Sequence, residues 1–556
     1  LSATRVDASQ LIEKGRENYV TYSQDFSQWP LAGAATRTLG VTDPNGGTTA
    51  ATISNIPSGN NSDGIILQSQ PMVLAAGNVV CQSIYLKGSG TIAVAMERSL
   101  GGSYFFESSI VTLTSEWQRF NHFAVINSPA AGFSYYVTNK NGTTATSVDV
   151  AFAQFEFGTA PTAYIPTNSS AVTAGILENT PRFDYSGGAT CPSLLLEPSR
   201  SNLVTLSEYP EGYAAAFRGS FNTNAAISPQ GVQNASLFTE DTTSNNTHFY
   251  AVTSLSWVAG TTYTISVYVK SNGRSIVLTQ GNQNVINFTT YFNLTTGEVG
   301  NSNASNASIE NVGNGWYRCS VTQTALTTSG TNILINAWDE EEWNYTYTGN
   351  GVSGFYSYGH QLEAGSYLTS YIPTYGVSQT RAVDNMTTTF SSPFATNGSA
   401  TIFFHELGLA DSDDIASAGG DYRYEGSSGN YVSLTTDITD WRIRIQSGGS
   451  SNFQGLSGYA KTDPIKVAIV VTSTTYSIYA NGSAVIENQS LTATADFSSI
   501  DGFRTIMQDR NGVRKALQHL VFPTALSDLD LAILTGATTY NTFAEMALAL
   551  NYTVYE

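Results

Sequence analysis

The stretch Gln361-Leu362-Glu363-Ala364-Gly365-Ser366-Tyr367-Leu368-Thr369-Ser370-Tyr371-Ile372-Pro373-Thr374 decides how the chain is read, because it has an earlier copy. That copy is Gln154-Phe155-Glu156-Phe157-Gly158-Thr159-Ala160-Pro161-Thr162-Ala163-Tyr164-Ile165-Pro166-Thr167. Both fit Q-x-E-x-G, five residues, then Y-I-P-T, and two such segments mean a duplicated unit. Three more landmarks recur upstream in the same order. Asn18 to Gln24 matches Asn202 to Glu208, Ser83 to Lys87 matches Ser266 to Lys270, and Trp117 to Phe120 matches Trp316 to Cys319. The offset grows from 184 (202 minus 18) to 207 (361 minus 154), as loop insertions in the second copy would produce.

Around the repeat, 556 residues are too many for one core. Hydrophobic residues make up 41%, enough to bury real cores, while charged residues are only 12%, roughly half the usual share. Gly, Ser, Thr, Asn and Tyr fill the difference, a composition that suits short strands alternating with turn-rich loops. The net charge of −19 argues against a nucleic-acid partner, which needs clustered Lys and Arg, and against anionic membrane surfaces. No apolar run reaches the ~18 residues of a membrane helix. Cys81, Cys191 and Cys319 lie far apart, without metal or redox spacing, and are expected to be free core thiols.

Taken in order, residues 1–17 lack apolar periodicity and read as a connector. Residues 18–167 form the first unit. Val79 to Leu86, Thr91 to Met96, Phe133 to Val137 and Val148 to Phe157 carry the alternation of strands, punctuated by Gly and Asn turns. Residues 168–201 form a Pro- and Gly-rich connector that excludes a long helix. Within it Leu194 to Leu196 is an apolar knot expected to dock on a neighbouring domain. Residues 202–374 are the second unit and 375–387 a linker. The fold class is all-β: tandem jelly-roll sandwiches with short connectors and a short C-terminal helix.

Pro181 to Tyr185, Leu194 to Leu203 and the Q-x-E-x-G and Y-I-P-T motifs together resemble a module of tailed-bacteriophage virion proteins, mostly tail-fibre, head-fibre or other surface structural proteins. The repeat itself resembles carbohydrate-binding jelly rolls. The resemblance implies a homotrimer, with residues 1–17 and 168–201 near its axis, other virion proteins as partners, and a place on the virion surface. It implies no catalytic residues.

Residues 388–556 differ from the repeat. Strands are expected at Ile402 to Phe404, Tyr431 to Leu434, Trp441 to Ile445 and Lys466 to Val471, and Asn481-Gly482 after Tyr476 to Tyr479 marks a hairpin. Ser527 with Asp530 opens a short helix, and Asn541 to Leu550 is helix-like. The order resembles a laminin-G or concanavalin-like domain.

The five histidines lie in separate segments with no G-x-S-x-G elbow, so nucleophilic catalysis is not expected. The acidic runs Asp339 to Glu342 and Asp411-Ser412-Asp413-Asp414 read as solvated loops. Calcium is the alternative at Asp411, Asp413 and Asp414, since hard oxygen ligands on a loop suit it. A pair of carboxylates for glycoside hydrolysis is the remaining reading. Glu156 and Glu363 hold equivalent positions, which points to capping a strand end or pairing with the equivalent Arg119 and Arg318. Trp117 and Trp316 are repeated and expected in the cores. Sugar binding needs aromatic faces beside polar groups. Trp338, Trp343, Tyr345 and Tyr347 around the acidic run of the second unit, with Tyr422 and Trp441 in the third domain, are the candidate carbohydrate-binding residues. The expected function is non-enzymatic adhesion to bacterial surface glycans. A capsular polysaccharide depolymerase and a secreted bacterial adhesin are the alternatives.

Overall fold

A computed structural model of the chain describes residues 2–58, 63–70, 72–100, 103–130, 132–177, 179–213, 216–340, 344–392, 399–409, 421–426, 429–436, 439–506, 513–540 and 542–550. Three β-sandwiches follow one another. In the first unit one sheet runs Gln118–Val125, Val79–Gly88, Val148–Phe157, Ala50–Ser54, Thr36–Val41. In the second the corresponding sheet runs Trp316–Thr324, Thr262–Asn272, Gly354–Ala364, Ala235–Glu240, Gly219–Ala226. The opposite sheets correspond too: Ser103–Thr112, Thr91–Leu100, Phe133–Thr138, Gly64–Gln70, Leu31–Ala32 against Thr289–Asn293, Ser275–Gln280, Ile333–Trp338, Phe249–Val252, Ala216–Phe217. Strand order is therefore the same in both copies. The second copy adds Glu298–Ser302 and Asn306–Gly313, one at the edge of each sheet, which accounts for most of the growing offset.

The opening motif is the latch that closes each sandwich, and its hydrogen bonds repeat one for one. Asn18 donates Nδ2 to the carbonyls of Ala153 (3.0 Å) and Ile165 (2.8 Å), and its Oδ1 accepts from Val20 and Phe155. Asn202 does the same with His360 (3.0 Å), Ile372 (2.8 Å), Val204 and Leu362. Gln154 accepts the Ile165 amide at 2.8 Å, as Gln361 accepts Ile372 at 2.7 Å. Tyr164 meets Ser23, and Tyr371 meets Ser207, at 2.6 Å. All of these groups except the half-buried Tyr164 are buried and would cost free energy if left unpaired.

Glu156 and Glu363 belong to the same latch. Each accepts from the amide and hydroxyl of a threonine six residues on, Thr162 and Thr369, with both amides at 2.9 Å. The pairing with Arg119 and Arg318 does not form. Arg119 instead donates to the Thr162 carbonyl and to Ser83, and Arg318 to Ser266. The capping half of the expectation is what the geometry shows, because the glutamates turn inward onto backbone donors.

Each unit is preceded by a hairpin of one pattern. Thr4–Val6 pairs with Ile12–Lys14, and Phe183–Asp184 with Ser193–Leu196. The Arg5–Glu13 ion pair (2.7 Å) of the first recurs as Arg182–Glu197 (2.8 Å) in the second. Each hairpin docks one unit further on. Ile12 donates its amide to Pro229 of the second unit and packs with Tyr268, Trp316 and Tyr371. Leu194 to Leu196 pairs with Arg514–Phe522, and Leu196 enters the third core. The segments read as connectors are thus built into later domains, and both hairpins are engaged within one chain. The expected docking of the apolar knot on a neighbour is what the strand pairing shows.

Two buried polar hubs tie the units together. Glu208 accepts from Lys14 (2.7 Å), Tyr358 (3.0 Å) and Tyr375 (3.1 Å). Glu197 is held by Arg182, Arg381 (3.1 Å) and Ser370, while Arg182 also reaches Asp384. The first two units also meet where Tyr375 stacks on Phe157 and Gly376 passes close to Gly77.

The third sandwich has a seven-stranded sheet, Phe183–Asp184, Ser193–Leu196, Arg514–Phe522, Ala400–Leu409, Ile465–Val471, Thr475–Ala480, Ser483–Ser490, over a six-stranded one. Asn481 and Gly482 both have positive φ, the two-residue turn that Asn-Gly suits. Ser527 caps Asp528–Thr535 by accepting from the Asp530 amide, and Phe543–Ala549 is the second helix. Among the described residues no helix is long and apolar enough to cross a membrane. Cys81 and Cys319 are buried, but Cys191 is exposed, on the loop between the two strands of the second hairpin, so it is not a core thiol.

Candidate functional site

The predicted binding aromatics fall into three groups. Trp338 is 3% exposed on the outer face of the second unit's six-stranded sheet, edge-on to Tyr291 at 5.1 Å and packed on Val277, with Tyr345 beside Tyr291 at 6.1 Å. Tyr347 is locked: its hydroxyl donates to Glu240 at 2.5 Å and the Arg274 guanidinium lies 5.0 Å from its ring centre. Burial and the Glu240 carboxylate push that hydroxyl far above the ordinary tyrosine range. Tyr347 is therefore a packing residue, correcting its place among the binding candidates.

Tyr422 and Trp441 are corrected as well. Both are 0% exposed in the third core, and the Trp441 indole donates to the Asp463 carbonyl at 3.2 Å. The reason is strand parity. Along Asp440–Ser447 the inward positions are Trp441, Ile443 and Ile445, and the outward ones include Arg442 and Arg444. Trp343, Asp411, Asp413 and Asp414 lie outside the described residues. Among the described residues no group of three or more His, Cys, Asp or Glu side chains is placed to hold a metal ion. Trp316 is buried as expected, whereas Trp117 is only partly covered on the outer face of the first unit.

The structure gathers a different set around Trp338. Register across the outer sheet of the second unit lines up Phe217 with Phe249, Phe249 with Asn336, Asn336 with Val277, and Val277 with Tyr291. The Phe217 and Phe249 rings stack at 4.7 Å and 13°. Phe217 stays 43% exposed at the sheet edge. Arg218 places its guanidinium 5.6 Å from the Phe249 ring and is fixed there by Thr247. The row crosses five strands, roughly 19 Å at the usual strand spacing, but Asn336, Val277 and Tyr291 within it are buried, and only its Phe217–Phe249 end is open. That end presents two ring faces beside the Arg218 guanidinium, the kind of pairing that sugar C–H faces and hydroxyls require. Neither Phe217 nor Phe249 carries a local sequence signal; only the register brings them together.

No family model matches the chain, and no curated protein does. Among solved structures it is similar to the N-terminal CBM22-1–CBM22-2 tandem domain of Paenibacillus barcinonensis Xyn10C, at 12% identity over 62% of this chain and 96% of that one, with a TM-score of 0.24. It is also similar to domains LG4–5 of the mouse laminin α1 chain (11% identity, 51% of this chain, 90% of that one, TM-score 0.17) and to the LG1–3 region of the laminin α2 chain (8%, 83%, 96%, 0.18). At TM-scores this low these likenesses decide nothing about function, and the sandwich architecture stands on the chain's own strand pairings.

Proposed function

We propose that the chain is a non-enzymatic surface protein of a tailed-bacteriophage virion, displayed from a fibre or capsid, that adheres to bacterial surface glycans. The observation that carries the adhesive part is the Phe217–Phe249 stack, open at the sheet edge with the Arg218 guanidinium beside it. The virion part is supported by the motif set around Pro181 to Asn202 and Tyr371 to Thr374. Many copies would turn weak binding per chain into avidity.

A bacterial glycan array, read with wild type and with Phe217→Ala and Phe249→Ala, tests the reading. Each substitution should weaken binding about fivefold, since a stacked ring contributes on the order of 1 kcal/mol, without loss of the folded circular-dichroism spectrum. Release of new reducing ends from the bound polysaccharide would show a depolymerase instead.

A further inference from the structure

The duplication supplies its own control for one arginine. In the first unit Arg119 makes two guanidinium bonds, to the Thr162 carbonyl at 2.5 Å and Ser83 Oγ at 2.9 Å, with its Nε unbonded. In the second unit the equivalent Arg318 keeps only the serine, Ser266 Oγ at 3.3 Å, and loses the carbonyl. It is 7% exposed, makes no ion pair among the described residues and has the Tyr268 ring 5.1 Å from its guanidinium; its Nε, like that of Arg119, is buried without a hydrogen-bond partner. Such a group is costly, because a buried cation needs an opposite charge.

Arg318 lines a cavity of about 490 Å³ between the second sandwich, the first hairpin and the rim of the third sandwich, a size within the range of small-ligand sites. Of the other charges lining it, all but Glu310 are paired. Arg5 is paired with Glu13 and Lys515 with Asp184, both within 3 Å, and Glu197 with Arg182 and Arg381. Glu310, opposite Arg318 in the strand register, is exposed at the rim. Arg318 is thus the buried cation left over. Ile12, Val312 and Tyr268 give apolar wall, and Asn311 and Lys515 give polar lining.

We propose that this cavity binds an acidic sugar residue of the uronate type, its carboxylate taken by the planar donors of Arg318 and its ring seated against Ile12 and Val312. The choice of a sugar rests on the glycan-binding reading, whereas the anion requirement rests on Arg318 alone.

Calorimetric titration of the full chain with glucuronate, glucose, glucose 6-sulfate and acetate tests it. Glucuronate should bind wild type and Arg119→Gln alike, lose about tenfold or more in affinity in Arg318→Gln, and keep part of it in Arg318→Lys, which retains the charge. Glucose should bind at least tenfold more weakly. No binding of glucuronate to wild type, or binding unchanged in Arg318→Gln with a native spectrum, overturns the proposal. Acetate binding as tightly as glucuronate overturns the sugar assignment, and tighter binding of glucose 6-sulfate overturns the carboxylate. The Phe217→Ala variant separates the two sites: it should lose array binding and keep the glucuronate titration.

Discussion

Glu197 shows how a single buried carboxylate organises three parts of this chain. Burial alone would raise its pKa. Arg381, Arg182 and the two bonds from Ser370 outweigh that and hold it down to about 2, from an ordinary 4.5. A depressed carboxylate contributes stability that is complete above pH 4.5 and is lost as pH falls toward 2, worth roughly 3 kcal/mol for this one group. Denaturant melts across pH 6 to 2 should show that loss. Glu197→Gln should be less stable by about 3 kcal/mol or more at pH 7, with a shallower decline below pH 4.5. Equal acid sensitivity in the two proteins would remove Glu197 from this role. His360 sits in the same kind of environment: burial lowers it to about 4, and it lies 2.7 Å from Tyr250. It is a packing residue of the strand, as its place before Gln361 suggests.

At the scale of elements, the sequence was legible where periodicity and turn chemistry act locally. Val148–Phe157, the Asn481-Gly482 turn and the Ser527 cap stand where their residues place them. The hairpins were not legible as structure, because Thr4 to Lys14 has too few apolar residues to signal a core; Ile12 buries itself only against another unit's Tyr268 and Trp316. Of the candidate residues, Trp338 is buried against Tyr291 and Val277 on the outer sheet of the second unit, with Tyr345 packed against that cluster. Tyr422 and Trp441 were misplaced although the alternation of Trp441, Ile443 and Ile445 against two arginines was there to be read.

The contact between the first two units turns on Gly376, whose φ is +104° and whose Cβ would lie 2.2 Å from the Gly77 carbonyl carbon. Gly376→Ala should therefore cost at least about 1–2 kcal/mol. In calorimetry the first unit should begin to melt separately from the rest. Gly455→Ala, where nothing lies within 4 Å of the added atom, is the control and should keep the wild-type profile.

For the whole molecule, the hairpins make a hub of what composition suggested were loose connectors, and they do so within one chain. The homotrimer that the resemblance implies still has exposed apolar side chains in these segments to use, Val172, Leu177 and Phe183 among them. Sedimentation equilibrium at micromolar concentration should give three times the 59.4 kDa chain mass; a stable monomer would contradict the trimer. The net charge of −19 that disfavours nucleic acid does not disfavour neutral glycans, and the proposed glycan sites rest on ring faces and on single placed cations.

The proposed adhesive function places bacterial glycan on the outer face of the second sandwich. A crystal structure of the full chain soaked with an oligosaccharide identified on the array tests that claim most directly. The prediction is sugar density lying over the Phe217 and Phe249 rings beside Arg218. Well-ordered sugar bound elsewhere, with those rings bare, would contradict it.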